Sequence, residues 1–197
     1  NLRKQLENIL LHGISPVVAI NVFPDDHQED IEAIREIADE FGARVAASTH
    51  FIDGGRGAIE LAEVVKDAAD EPTDFQMLYP DDMKLREKIR IVAQKVYGAE
   101  DVKFSAMSER QLTSYEDNGF GKLPVCIAKT HLSISSDPSL KGAPTGWTLP
   151  VREVRASVGA GFIYPICGDM RTMPGLGAKP AATRIDIDKD GEIVGLS

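Results

Sequence analysis

The feature that most constrains this chain is a switch of hydrophobic period, repeated over its first seventy residues. Pro16 to Phe23 is an apolar run rich in β-branched residues, interrupted only by Asn21, the pattern of a strand covered on both faces. Asp25 and Asp26 follow, placed to cap a helix whose stripe is Ile31, Ile34, Ile37, Ala38 and Phe41, ending at Gly42. Arg44 to Thr49 reads as a second strand. Gly54, Gly55 and Gly57 then open a further helix with the stripe Ala58, Leu61, Ala62, Val65 and Ala69. Strand, helix, strand, helix with short connections implies a parallel sheet with right-handed crossovers. A first helix, Leu2 to Leu11, precedes it and stops at Gly13.

The remainder changes in texture. Pro72 to Pro80 reads as a connector, and Asp82 to Tyr97 as a helix presenting Leu85, Ile89, Val92, Ala93 and Val96. A short strand at Val102 to Ser105 and a helix at Ser108 to Asn118 come next. After Gly119, glycine and proline become frequent, with short strands expected at Pro124 to Thr130, Val151 to Val154 and Phe162 to Ile166. Arg184 to Leu196 has the alternation of a hairpin about the Asp190-Gly191 turn. The expected fold is therefore α/β: a parallel βαβ region over 1–119, then an irregular mixed-sheet region over 120–197 with a C-terminal hairpin, the two packed as one domain.

Composition excludes several classes. Hydrophobic residues make up 43%, enough for a packed core, and no apolar run approaches the length needed to span a bilayer. A net charge of -9 speaks against a general nucleic-acid binder. The charge is uneven, however: residues 1–98 are strongly acidic, whereas 120–184 carry 8 bases against 3 acids. That stretch either samples charge at random or faces an anionic ligand. Two cysteines, Cys126 and Cys167, have no metal or disulfide-scaffold spacing, which points to a reducing, cytoplasmic setting. The four histidines also lack metal-ligand spacing, so no metal site is expected. Asp186-x-Asp188-x-Asp190-Gly191 opens like a calcium loop, but its twelfth position is Ser197 rather than Glu, and the hairpin reading prevails.

Four places suggest a ligand. Phe23 and Phe51 end consecutive parallel strands, where ligands of open α/β sheets bind; two rings there either clamp a flat heterocycle or cap the core. Gly54-Gly55-Arg56-Gly57 either cradles an anion or makes a tight turn. Lys129, leaving a strand beside Thr130 and His131, either meets an anion or snorkels to water, and Arg152, Arg155 and Arg171 pose the same choice. Met173, Pro174, Gly175, Leu176 and Gly177 form a loop able to hold a ligand edge. No nucleophile with its base, and no carboxylate dyad, stands out.

The strings Leu123 to His131, Pro144 to Phe162 and Thr172 to Leu176 resemble the C-terminal part of formate–tetrahydrofolate ligase. The resemblance extends to Ala19 to Pro24 and to Gly54-Gly55-x-Gly57. The His50-aromatic and Lys129-Thr130-His131 wording is similar to the synthetase part of eukaryotic C1-tetrahydrofolate synthase. What the resemblance implies is an enzyme that phosphorylates formate with Mg-ATP, then passes the formyl group to tetrahydrofolate, polyglutamylated or not, with stimulation by a monovalent cation. It implies a dimer or tetramer, in a cytoplasmic or mitochondrial compartment.

The same resemblance assigns Phe23 and Phe51 as a sandwich for the folate ring, facing each other across a gap one pterin wide. The second position is commonly Trp, so Phe51 is a departure that gives a smaller face and no indole N–H. Gly54 and Gly55 are expected to shape the same mouth, and Lys129 and the Met173 to Leu176 loop to approach nucleotide or substrate. The family's phosphate-binding loop belongs to an N-terminal domain that this sequence does not contain. The 197 residues alone are therefore expected to be inactive, and the rival reading is a non-catalytic assembly module.

Overall fold

The computed structural model describes residues 1–168 and 180–195. It is a mixed α/β arrangement, as the periodicity predicts. Helix α1 (Leu2–Leu10) leads into β1 (Val17–Asn21), α2 (Gln28–Glu40) and β2 (Arg44–Ser48). Strands β1 and β2 pair in parallel, Val18 opposite Val45 and Asn21 opposite Ser48. Leu6 of α1 and Ala38 of α2 are buried with Ala43, and Val18 and Val45 pack against them. After β2 come α3 (His50–Asp53), a 3-10 turn (Gly54–Ala58) and α4 (Ile59–Ala69), which lies against β2.

Three details of this unit differ from the sequence reading: neither Asp25 nor Asp26 caps α2, whose N-cap is His27 with no side-chain cap bond, and the burial of β1 and of α4 is not as expected. The apolar run of β1 is not covered throughout: Ile20 is buried and Val17 and Val18 half-buried, but Ala19 is exposed. A parallel strand is enclosed only where helices overlie it, and a two-stranded sheet leaves part of its surface outside. On α4, Ala58, Leu61, Val64 and Ala68 form the more covered face, while Ala62, Val65 and Ala69 are exposed. The intervening 3-10 turn rotates the helix relative to a simple count from the glycines.

The larger core lies in the rest of the chain. Helix α5 (Leu85–Ile91), continued by a π turn (Val92–Val96), contributes Leu85, Ile89 and Ala93. It packs with Val102 of β3 (Asp101–Phe104), Leu112 of α6 (Ala106–Asp117), Leu149 and Val151 of β4 (Thr148–Val151), Val154 of β5 (Glu153–Ser157) and Ile163 of β6 (Phe162–Ile166). This cluster takes residues from both sides of Gly119. Helix α6 starts where Ser105 accepts a hydrogen bond from Ser108 N–H at 3.0 Å, a capping geometry that terminates β3 and begins the helix at once. Strand β4 pairs in parallel with β3 and runs through Arg152 into β5, which pairs antiparallel with β6.

The strand expected at Pro124 to Thr130 is present only as two bridges, Val125 to Ile163 and Ala128 to Ile166. The reason is chemical. Cys126 N–H donates to Ile163 O and Ala128 N–H to Pro165 O, both at 2.8 Å, but Pro165 has no N–H to return a bond to the carbonyl between them. The hairpin is β7 (Asp186–Ile187) and β8 (Ile193–Val194). Asp188 Oδ1 accepts from the N–H groups of Asp190 and Glu192 at 2.9 Å, so this acid shapes the turn.

Lys88 holds the larger core to its connectors. It sits on the apolar face of α5, fully buried, and its Nζ donates to the carbonyls of Asp81, Gly121 and Leu123 at 2.7, 3.0 and 3.1 Å. Burial pushes its pKa down, while the charges of Asp81, Asp82 and Glu116 push it back up. Lys88→Met would keep the stem and leave three part-buried carbonyls without their donor. It is expected to cost about 2–4 kcal/mol, read as a fall in the urea midpoint. Lys122→Met, at an exposed site on the same turn, should stay within about 0.5 kcal/mol of the native protein.

Candidate ligand site at the strand ends

Strands β1 and β2 end side by side, and each hands its chain to a tight turn. At the end of β1, Val22 N–H donates to Ser48 O at 2.9 Å, extending the ladder by one residue. Phe23 N–H then donates to Asp26 Oδ2 at 2.8 Å, and Asp26 N–H returns a bond to Phe23 O at 3.1 Å. This closed turn halts the strand and turns Phe23 outward.

The end of β2 is built more tightly. Ile52 and Asp53 N–H groups both donate to Thr49 O, and Thr49 Oγ1 donates to Asp53 Oδ2 at 2.6 Å, so α3 winds up immediately after the strand. Gly54 follows with φ 59 and ψ -146, a backbone conformation essentially reserved for glycine. Gly57 then comes back against the start of the turn. Its carbonyl accepts from Thr49 N–H at 3.0 Å, and a Cβ there would meet Thr49 Oγ1 at 2.5 Å and His50 N at 2.8 Å. The glycine pattern thus serves to fold the chain back on residues 49–51. Gly54 and Gly55 lie exposed on this turn, next to Phe51.

These turns bring Phe23 and Phe51 together at the surface. Phe23 is 43% and Phe51 71% exposed, so neither ring is a core cap. Their centroids are 5.2 Å apart with planes inclined at 54°. The gap expected from the sequence is therefore not open. A flat ring between two parallel faces needs about 7 Å, twice an ordinary contact distance, whereas these rings touch in the tilted geometry that two exposed aromatics adopt against each other.

The other sequence candidates have different surroundings. Lys129 Nζ donates to the carbonyls of Thr130 and Ser135 at 3.1 Å and to that of Ser133, and lies 4.8 Å above the Tyr97 ring. Its three protons are committed to closing the 130–135 loop, although its stem lines a cavity of about 320 Å³ with Asn8, Tyr97 and Ile134. Burial pushes its pKa down. Arg152 and Arg155 both pair with Glu153, at 3.3 and 3.0 Å. Arg171 and the Met173, Pro174, Gly175 and Leu176 loop lie outside the described residues. His12 Nδ1 donates to Gln76 O at 2.9 Å and its ring stacks on Phe75. Among the described residues no three His, Cys, Asp or Glu side chains gather as metal ligands, and no helix is long and apolar enough to cross a membrane.

Sequence reasoning missed one feature of the site. Ser48, the last residue of β2, is buried, and its Oγ lies 3.1 Å from Nδ1 of His50. The signal available was a polar residue following the apolar run Val45 to Ala47 at the alternate position to buried Ala46.

A family model described as formate–tetrahydrofolate ligase matches residues 1–197. The formate–tetrahydrofolate ligase of Saccharopolyspora erythraea is 67% identical over 197 residues, covering all of this chain and 35% of the relative. Those of Cutibacterium acnes and Herpetosiphon aurantiacus are 58% and 57% identical, again over all of this chain and 35% of theirs. The chain thus spans about a third of the length of the curated relatives it matches.

Two measurements check this geometry. Gly57→Ala should lower stability by about 1–3 kcal/mol, because the added methyl displaces Thr49 and His50 rather than a flexible side-chain end. In thiol titration, exposed Cys126 should react in the native protein, whereas buried Cys167 should not until the chain unfolds. Burial pushes the Cys167 pKa up to about 12. The unfolded thiol ionises first, so this group's contribution to stability should be intact below about pH 9 and decline progressively toward pH 12.

Proposed function

Because this chain belongs to the formate–tetrahydrofolate ligase family, we propose that it supplies the folate-side surface of a ligase making 10-formyltetrahydrofolate from formate, ATP and tetrahydrofolate. In this reading ATP transfers its γ-phosphoryl group to formate, giving formyl phosphate and ADP. The N10 amine of the folate then attacks the formyl carbon, the carbon–oxygen bond to phosphate breaks, and inorganic phosphate leaves with the amine proton passing to solvent or base. Phosphoryl transfer needs a cradle of N–H groups and cations around the phosphates. Among the described candidates, Lys129 is engaged by carbonyls and Arg152 and Arg155 pair with Glu153. In this reading Mg-ATP, formate and the activating monovalent cation belong to the remainder of the parent protein, in an N-terminal domain and a homo-oligomer. Free thiols at Cys126 and Cys167 suit a reducing, cytoplasmic setting.

The observation that supports the folate role is the Phe23–Phe51 contact. Both rings are exposed, adjacent and carried by strand ends of a parallel pair, where a flat ligand gains two faces at once. Binding then requires the rings to part and turn toward parallel. Phe51 can do so at little cost, being mostly exposed on a four-residue helix. Each stacking contact is worth about 1 kcal/mol beyond buried area.

Calorimetric titration of the chain with tetrahydrofolate tests this. Phe23→Ala and Phe51→Ala should each weaken binding by about tenfold, and Phe51→Trp should tighten it through a larger face. The chain alone should show no ATP- and formate-dependent formylation. Absence of folate binding by a folded chain would favour an assembly module over the ligase reading.

A further inference from the structure

Lys88 and Lys129 are each held by three carbonyls, but their charges are met differently. Asp81, Asp82 and Glu116 act on the Lys88 ammonium and favour its charged form. Among the described residues no carboxylate acts on that of Lys129; the ionisable group that does is Cys167. Burial raises the Cys167 pKa to about 12, so that thiol is neutral near pH 7 and supplies no counter-charge. A half-buried cation is ordinarily paired, and a chain of net charge -9 does not lack acids to pair it.

Lys129 faces a cavity instead. Its Nζ donates to the carbonyls of Thr130 and Ser133 and lies 4.8 Å from the centre of the Tyr97 ring. Lys129 and these three residues all line one cavity of about 320 Å³, as does Asn8 of α1, and no described Asp or Glu lines it. Two of these side chains hold unused donors. The Asn8 amide makes no hydrogen bond among the described residues: Oδ1 is sealed from solvent, which leaves Nδ2 as the end that can be reached. The Tyr97 hydroxyl is also without a hydrogen bond among the described residues, and burial raises its pKa, so it keeps a proton to donate. Val96 and Ile134 add apolar wall. The volume is at the small end of the range for pockets that take organic ligands.

We propose that this cavity binds a small organic anion whose carboxylate or phosphate head is the counter-charge of Lys129 and accepts hydrogen bonds from Asn8 Nδ2 and the Tyr97 hydroxyl. The ammonium has already given its three protons to carbonyls, so it acts on the ligand through its charge. The neutral donors supply the hydrogen bonds, which are stronger to a charged acceptor than to a neutral one. Val96 and Ile134 receive the apolar part of the ligand. Neither Phe23 nor Phe51 lines this cavity, and the inference does not rest on the folate reading.

The test is calorimetric titration of the chain with acetate and with inorganic phosphate, at an ionic strength held constant by sodium chloride. The native chain should bind at least one of them with a Kd on the order of 1 mM, and the tighter of the two identifies the head group. Tyr97→Phe should weaken that binding by about threefold to tenfold. Asn8→Asp sets a carboxylate at the cavity and should abolish it, whereas Lys122→Ala, at an exposed lysine that does not line the cavity, should leave it unchanged. The charge is tested through Asn8→Asp because loss of Lys129 would open the 130–135 loop, and circular dichroism establishes that each variant is folded. Failure of both anions to bind the folded native chain overturns the proposal. Binding that survives Asn8→Asp undiminished, or that Lys122→Ala removes, overturns it as well.

Discussion

A buried ammonium group saturated by backbone carbonyls is the interaction on which much of this structure depends. Lys88 draws the carbonyls of Asp81, Gly121 and Leu123 onto one nitrogen, tying the entry to α5 and the turn after α6 to the middle of the helix. Lys129 repeats the device on the carbonyls of Thr130, Ser133 and Ser135. Irregular chain carries backbone groups that no ladder satisfies. A lysine with three protons and a flexible stem can satisfy three such acceptors together, and an aromatic face (Tyr79 for Lys88, Tyr97 for Lys129) lies within reach of the remaining field. The glycine- and proline-rich second half thereby gains fixed geometry without regular secondary structure.

The same devices mark where the sequence stops being readable. Helix and strand positions in the first seventy residues follow from the period of apolar residues, since burial of one face decides them. Lys88 does not: its neighbours Leu85 and Ile89 announce a buried face, but a lysine between them reads as solvated until the carbonyls around it are known. Strand β6 is legible from its apolar run, yet the effect of Pro165 on its neighbour is not. That proline leaves its own strand intact and breaks the ladder of residues 124–128, a consequence that exists only once the two segments are side by side.

The candidate site divides along the same line. Two aromatics at consecutive strand ends are visible as a pattern, because parallel strands bring their carboxyl ends together by topology alone. Their contact at 5.2 Å is a matter of side-chain packing and could not be read in advance. Nor could the role of the glycines. Gly54 and Gly57 look like an anion loop in isolation, but the close approach of Gly57 to Thr49 gives them a structural purpose, returning the chain so that residues 49–51 are held in one turn.

That turn explains why an aromatic ring on so exposed a residue can still be placed with precision. Phe51 has few neighbours of its own, so its position is inherited from the backbone beneath it. The backbone is fixed at three points: the Thr49 carbonyl by the N–H groups of Ile52 and Asp53, the Thr49 N–H by Gly57 O, and the Thr49 hydroxyl by Asp53. Ser48, one residue earlier, belongs to the rigid ladder through Val22 and reaches forward to His50. The backbone of Phe51 is thus carried by one braced turn, which sets where its ring can reach, and the 5.2 Å contact with Phe23 sets how the ring lies.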